Sequence, residues 1–390
     1  MKLKLKTIFT FMIKKFFKNT GIIFVVCFLL SANLTAQQTY IEQVRIVQTA
    51  VSFVAITPDS RAGGIGGSGV ATDPDIYSQF WNPAKFAFID KNFGLGLAFT
   101  PWLKQLINDI YLYNLAGVYR LDEMQVLSAS IRYFSIGEIW YRSSYEDPGY
   151  QVSPNEFSID LAYNRKLSEN FSGSVAFRYI LSALNQGIQD HGDLQPGNSF
   201  GGDISFYYQK ENKMFGQDSK ISAGINISNI GSKISYNGVD KEFIPTNLRL
   251  GAALMTEMDA HNSITFSLDF NKLLVPTPTL TDSLGSYRDK YNNMGTLKGM
   301  WQSFSDAPEG FKEEMREINI SGGIEYWYEK QFAIRAGYFH EHKLKGNRKH
   351  FTAGVGLKFN MLTLDASYII AVNQNNPLAN TIRVSLGLDF

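Results

Sequence analysis

Apolar and polar residues alternate with a period of two along most of the chain after residue 92. Phe351, Ala353, Val355, Leu357 and Phe359 share one face, as do Ile264, Phe266, Leu268 and Phe270, and Leu362, Leu364, Ala366, Tyr368 and Ile370. The other face is small or polar, and Arg132, Asp160, Arg178, Asp203, Arg249, Asp269, Arg335, Lys358, Asp365 and Arg383 all fall on it. A soluble sandwich would alternate too, so strand length and loop rhythm have to separate the two cases. Fourteen such stretches run from Phe93–Pro101 to Thr381–Phe390, and most approach the ~9–11 residues that a tilted membrane-crossing strand needs. The shortest is Gly202–Gln209, and the next along the chain is Lys220–Asn229.

The connections alternate in kind. Leu121–Met124, Leu167–Asn170, Thr256–Asn262, Glu329–Gln331 and Phe359–Met361 are short, whereas Ile136–Asn155, Asn185–Gly201, Ile230–Pro245 and Lys272–Arg316 are long. Short turns on one side and long loops on the other are the rhythm of an outer-membrane barrel, and an even strand count puts both termini in the periplasm. A basic residue misplaced on the lipid face would cost ~2–4 kcal/mol, which keeps that face clean. In lipid every backbone group must be paired, so the sheet must close with its first strand against its last. The predicted fold is all-β: an antiparallel transmembrane β-barrel of about fourteen strands, residues 93–390, with an N-terminal plug, or hatch, in its lumen.

That plug is read from Ile56–Phe88. Five glycines lie between Gly63 and Gly69, and prolines at 58, 74 and 83 forbid a long helix or a central strand. Irregular backbone survives only where other groups satisfy its N–H and C=O, and glycines let it pass close to other chain. Residues 37–92 are assigned to this periplasmic or plug segment. Ahead of it, lysines at 2, 4, 6, 14, 15 and 18, the apolar run Gly21–Leu30 and the small residues up to Ala36 make residues 1–36 a cleaved signal peptide. The apolar run is shorter than the ~20 residues of a spanning helix. The only cysteine, Cys27, lies within it, so the mature chain has no disulfide or thiolate chemistry. A net charge of +1 leaves no electrostatic footprint for nucleic acid, and 14% aromatic residues suit strands at a membrane interface.

Candidate chemistry is sparse. Gly64, Gly66 and Gly69 spell G-x-G-x-x-G with Asp90 about twenty residues on, but a dinucleotide site needs a helix opening at the glycines, and Pro74 and Pro83 interrupt the segment. His340, Glu341 and His342 lead into a basic loop, and Asp190, His191 and Asp193 sit in a long one; both read as solvated turns rather than metal sites. No nucleophile–base arrangement is present, so neither catalytic residue, metal nor cofactor is expected.

The runs PDSRAGG, GVATDPD and SQFWNPAKFAF resemble the amino-terminal signature of the PorV family of the type IX secretion system. More loosely, Gly63–Gly69 and Trp81–Ala84 resemble the hatch of the FadL family of hydrophobic-compound transporters, whose barrels also have fourteen strands. The resemblance implies a non-enzymatic protein of the outer membrane of a Gram-negative bacterium. It would bind the C-terminal signal domains of secreted proteins at the translocon barrel and deliver them to a surface attachment complex with a sortase-like subunit. Pro58, Asp59, Arg61, Gly63, Gly64, Gly66, Gly69, Asp73, Pro74, Asn82 and Pro83 would shape the plug. Contact with partners would fall to the Lys272–Arg316 loop, which carries Trp301, Phe304 and Phe311, while outer-membrane lipids surround the wall. The rival is a FadL-like transporter of small hydrophobic molecules, against which the charged inward positions speak.

Overall fold

The alternating stretches pair into a single antiparallel sheet that closes on itself. The computed structural model describes residues 44–142, 144–184, 195–214, 216–278, 291–373 and 376–390. The signal segment, most of Lys272–Arg316 before residue 291, and Asp190, His191 and Asp193 lie outside them. The strands are β1 (Phe93–Pro101), β2 (Tyr111–Arg120), β3 (Gln125–Ser135), β4 (Ile139–Tyr141), β5 (Tyr150–Val152), β6 (Asn155–Lys166), β7 (Phe171–Ala183) and β8 (Gly197–Met214). They continue with β9 (Gln217–Gly231), β10 (Asn247–Glu257), β11 (Asn262–Leu273), β12 (Asn319–Tyr328), β13 (Phe332–His340), β14 (Lys349–Phe359), β15 (Leu362–Ala371) and β16 (Ile382–Asp389).

Fourteen of these form the barrel, each paired with its neighbour in sequence, and β1 closes on β16 from Gly94↔Asp389 to Phe99↔Val384. The remaining two, β4 and β5, make a separate ribbon in the loop between β3 and β6. That ribbon was not legible in the alternation, nor were the helices Thr296–Gln302 and Phe311–Arg316 in the long β11–β12 loop. β8 and β9 also run well beyond Gly202–Gln209 and Lys220–Asn229. Their extra residues, among them Glu211, Asn212, Lys213 and Asp218, are exposed on both faces. A hairpin extending past the rim into water has no need of alternation.

Burial follows the pleat. In β14 the residues from Phe351 to Leu357 alternate exposed and buried, with Phe351, Val355 and Leu357 outward. Of the ten charges assigned to the polar face, nine are buried in the lumen, and Lys358 sits at the rim near Asp389. Aromatic rings gather at both edges of the wall. Phe99, Tyr113 and Tyr133 pack in sequence near the long loops, and Phe93 packs on Phe390 near the short turns, at a centroid separation of 5.9 Å. Two such girdles mark the two interfaces of a bilayer.

The described chain begins among the long loops, where Arg45 N–H donates to Leu344 O and Ala50 N–H to Phe243 O. It then descends the lumen to Ile89, which packs with Phe86, Val118 and Val126 at the short-turn end, where Phe390 also lies. The expectation that the amino terminus shares that side falls on residues outside those described.

The descent is tight enough to fix side-chain size. A Cβ on Gly337 of β13 would lie 2.1 Å from Gly66 N, and one on Gly66, whose φ is +77°, would lie 2.7 Å from Tyr338 O. Backbone meets backbone there, and neither side can yield. Gly337→Ala is therefore expected to cost at least about 1–3 kcal/mol, seen as a lower urea midpoint for the heat-modifiable folded barrel, while Gly117→Ala on the outer face leaves it unchanged.

Candidate functional site

Two regions bring polar chemistry together: the plug in the lumen, and the mouth formed by the long loops. In the plug, the proline- and glycine-rich segment folds as short helical turns with bends between them. Asp59 caps the turn Ser60–Gly64, its Oδ2 accepting Ala62 N–H at 2.8 Å, and its Oδ1 accepts the Trp81 indole N–H at 2.7 Å. Burial, with Asp75 adding to it, pushes the Asp59 carboxyl up to about 6. Asn82 caps the next turn, Pro83–Phe88, through Ala84 N–H, and its amide donates to Val70 O and Phe206 O. Pro83 takes the first position of that turn, where its missing N–H costs nothing. Gly69 faces the Trp81 ring, which a Cβ would approach to 2.4 Å.

Arg61 organises the charges. Its guanidinium makes a two-point contact with Glu325 of β12 at 2.8 and 3.0 Å and binds Asp75 at 2.9 Å and Asp73 O at 3.0 Å. Glu325 in turn receives Arg335 at 2.6 Å, and Arg335 reaches Asp365 at 2.6 Å, so a chain of alternating charge runs from plug to wall. Asp73 binds Lys220 of β9 at 2.7 Å, and Pro74 next to it is half-buried. Pro58 is buried beside Asp59, and Gly63 and Gly64 pass against Ser367 and Gly354.

Elsewhere the wall grips plug backbone. Arg132 donates to Val54 O at 2.8 Å and Arg249 to Phe80 O at 2.7 Å, and both guanidiniums also lie over the Phe80 ring. Asp269 accepts Gly69 N–H and Val70 N–H, and Thr352 accepts Gly66 N–H while donating to Gly64 O. Ser385 accepts Ser60 N–H, and Asn226 donates to Trp81 O. The Tyr77 hydroxyl lies 2.9 and 2.8 Å from Leu97 O and Leu386 O, across the β1–β16 seam, and donates to one at a time.

Tyr77 and Lys85 escaped the sequence reading. Lys85 is fully buried, donating to Gly69 O at 2.8 Å and Thr72 Oγ at 3.2 Å, and burial lowers its pKa. A lysine set inside the apolar run PAKFAF was the available signal.

The mouth is built differently. Lys272 bonds Glu314 at 3.0 Å and Glu317 at 2.5 Å; Lys345 bonds Glu313 and Glu317, both at 2.8 Å; Arg45 bonds Glu313 at 2.9 Å. This buried latch ties the helix Phe311–Arg316 to the strand end, the β13–β14 loop and the N-terminal segment. The same lid turns Trp301 and Phe311 outward, each 79% exposed, with Phe304 at 46%. Against the β9–β10 loop, Phe53 and Val54 pack with Ile180, Ile234 and Ile244 in an apolar cluster. None of this latch was legible in the sequence, because its partners lie far apart along the chain. Glu341 is engaged by Arg348 at 2.8 and 2.6 Å, Asp90 is exposed, and no cluster of three metal-ligating groups occurs among the described residues.

A closed, plugged barrel with an apolar outer wall is an outer-membrane β-barrel protein. The chain belongs to the PorV family of type IX secretion system proteins, whose family model matches residues 38–280. Among solved structures it is similar in fold to the toluene transporter TodX of Pseudomonas putida, at 12% identity over 85% of this chain and 98% of that one, with a TM-score of 0.50. The Ralstonia pickettii toluene transporter TbuX matches at 12% identity over 85% and 98% of the two chains, with a TM-score of 0.47. A FadL homologue of Pseudomonas aeruginosa matches at 12% over 89% and 99%, with a TM-score of 0.42. No curated protein matches by sequence.

Two outcomes follow from the charges. Arg61→Met leaves Asp75 unpaired and Glu325 with one cation, at a cost of about 3–5 kcal/mol, and planar-bilayer recordings should show a rise in ion conductance as the plug loosens. At the mouth, two carboxyls have opposite signs. Burial raises the Glu313 carboxyl, but hydrogen bonds from Lys345 and Glu309 N–H, with Arg45, outweigh it and hold it low; its contribution is complete above pH 4.5 and is lost as pH falls through the lower folded value. Burial raises Asp306 to about 6 from 3.8, so its contribution is lost as pH rises through about 6. A nitroxide on Lys312→Cys should therefore be least mobile near pH 5 and more mobile on either side.

Proposed function

We propose that this outer-membrane protein of the type IX secretion system binds the C-terminal signal domains of secreted proteins at the translocon and delivers them to the surface attachment complex. The observation that carries the proposal is the two-faced lid: acidic and latched inward, aromatic and exposed outward. An apolar patch held on a fixed underlayer is a suitable anchor for a folded partner, since large aromatics lose little entropy on contact. On this reading the long loops face outward and the short turns face the periplasm. Trp301, Phe304 and Phe311 touch partners, while the plug residues from Pro58 to Pro83 hold the lumen shut.

The FadL-like alternative needs an empty apolar chamber beneath the loops and a path through the wall. Here the chain's own Phe53 and Val54 occupy the apolar cluster, and every barrel strand pairs with both neighbours, with a register shift between Gly202 and Ile204 where β8 meets β9. The test is purification of the tagged protein from its native outer membrane in mild detergent, with identification of what accompanies it. A large translocon barrel, or secreted proteins sharing a C-terminal β-domain, is the expected company. Trp301→Ala with Phe311→Ala should lower recovery of those proteins about tenfold or more without changing the amount of folded barrel. Recovery of the protein alone with a fatty or aromatic molecule bound would sink the secretion reading.

A further inference from the structure

The outer wall is not uniformly filled. Across β1, β2, β3, β6 and β7 it carries a concavity of about 610 Å³, lined almost wholly by apolar groups. The cause lies in one cross-strand row, Leu95–Gly117–Ala129–Leu161–Phe177, in which two adjacent outward positions carry almost no side chain. The next row toward the short turns, Tyr119–Leu127–Tyr163–Val175, carries large side chains and forms a raised edge.

Backbone geometry does not require glycine at 117. Its φ is not positive, and an added Cβ would meet only the flexible tip of Leu95 at 3.3 Å and Gly94 O at 3.8 Å. The inward glycines differ: on Gly224, Gly251, Gly323 and Gly337 a Cβ would strike plug backbone or side chain at 2.1–2.7 Å. Their smallness serves the plug, whereas that of Gly117 serves only the groove.

The groove has a polar end. Tyr163 directs its hydroxyl to Gln125 at 2.6 Å, toward the short turns, and Arg165 follows on the same outward face, opposite Gln125 and Gly173. Arg165 is exposed, and the exposed Asp122 carboxylate of the neighbouring β2–β3 turn is close enough to interact with it electrostatically. A shallow apolar trough ending at an exposed interfacial cation complements a molecule with an anionic head and a hydrocarbon tail.

We propose that this groove seats one acyl chain of a glycerophospholipid from the leaflet on the short-turn side, with the lipid phosphate on Arg165. The site requires only that the barrel lie in a bilayer, and it is independent of the secretion role. A bound lipid would fill the groove and leave that sector of wall as smooth as its neighbours.

The full-length protein, reconstituted in nanodiscs of phosphatidylethanolamine bearing a diazirine midway along one acyl chain, provides the test. After irradiation, labelled peptides should concentrate on β2, β3, β6 and β7. Ala129→Phe, and independently Gly117→Leu, should lower that labelling about tenfold, the loss expected when roughly two methylenes leave an apolar site. Heat-modifiable migration confirms that each variant is folded. Arg165→Gln should weaken labelling while leaving its position unchanged. Labelling spread evenly around the wall, or unaltered in folded Ala129→Phe, overturns the proposal. So does labelling that disappears only when a second barrel copurifies, which would assign the groove to a protein contact.

Discussion

The structure depends on a mismatch of widths. About eight strands make a barrel whose own side chains fill its interior; fourteen leave a lumen that they cannot span. Something else has to occupy that space, and whatever enters brings backbone that must be paired. The wall answers with arginines, aspartates, serines and asparagines long or polar enough to reach it, and the plug answers with carbonyls and N–H groups left free by its lack of regular structure. Arg132 on Val54, Arg249 on Phe80 and Asp269 on Gly69 and Val70 are instances of one exchange, in which each side supplies the partner that the other lacks.

This explains why the buried charges are tolerated. A buried ion pair is weak support for stability, because desolvation offsets most of its attraction. Its value here is positional. Arg61 can satisfy Glu325, Asp75 and Asp73 O together in only one placement of the plug, and Glu325 is itself fixed by Arg335. An apolar interface of equal area would allow the irregular segment to slip along a smooth wall. Directional bonds to main-chain atoms do not.

The outer half of the fold was legible because lipid imposes a strict rule on every second residue. That rule placed all fourteen strands and put nine of the ten charges assigned to the polar face inside the lumen. It failed where the chain leaves the bilayer: the β8–β9 extension, the β4–β5 ribbon and the lid helices sit in water, where no face has to be apolar. The glycine- and proline-rich run marked irregular backbone, but not which carbonyl each wall residue would take. Arg132 and Val54 are remote in sequence, as are Arg45 and Glu313, and no local pattern links such pairs. Lys85 was hidden for the opposite reason, since a cation within an apolar turn is excluded by the preferences used to read it.

The lumen and the mouth use the same chemistry to different ends. In the lumen, ion pairs and hydrogen bonds join the plug to rigid strands on many sides, and the result is a plug fixed in one place. At the mouth they join one short helix to three separate segments, and the outer face of that helix leaves Phe311 and Met315 exposed among the described residues. A barrel concerned only with sealing would gain nothing from holding Trp301 and Phe311 out in water, where each exposes surface that favours burial. If the lid is the contact surface proposed above, a latch that fixes its underside would let the upper side meet a partner without first becoming ordered, which lowers the entropy cost of contact. On the proposed reading, closure below and readiness above are compatible: a plug held by the wall would leave the loop surface as the place to meet something large.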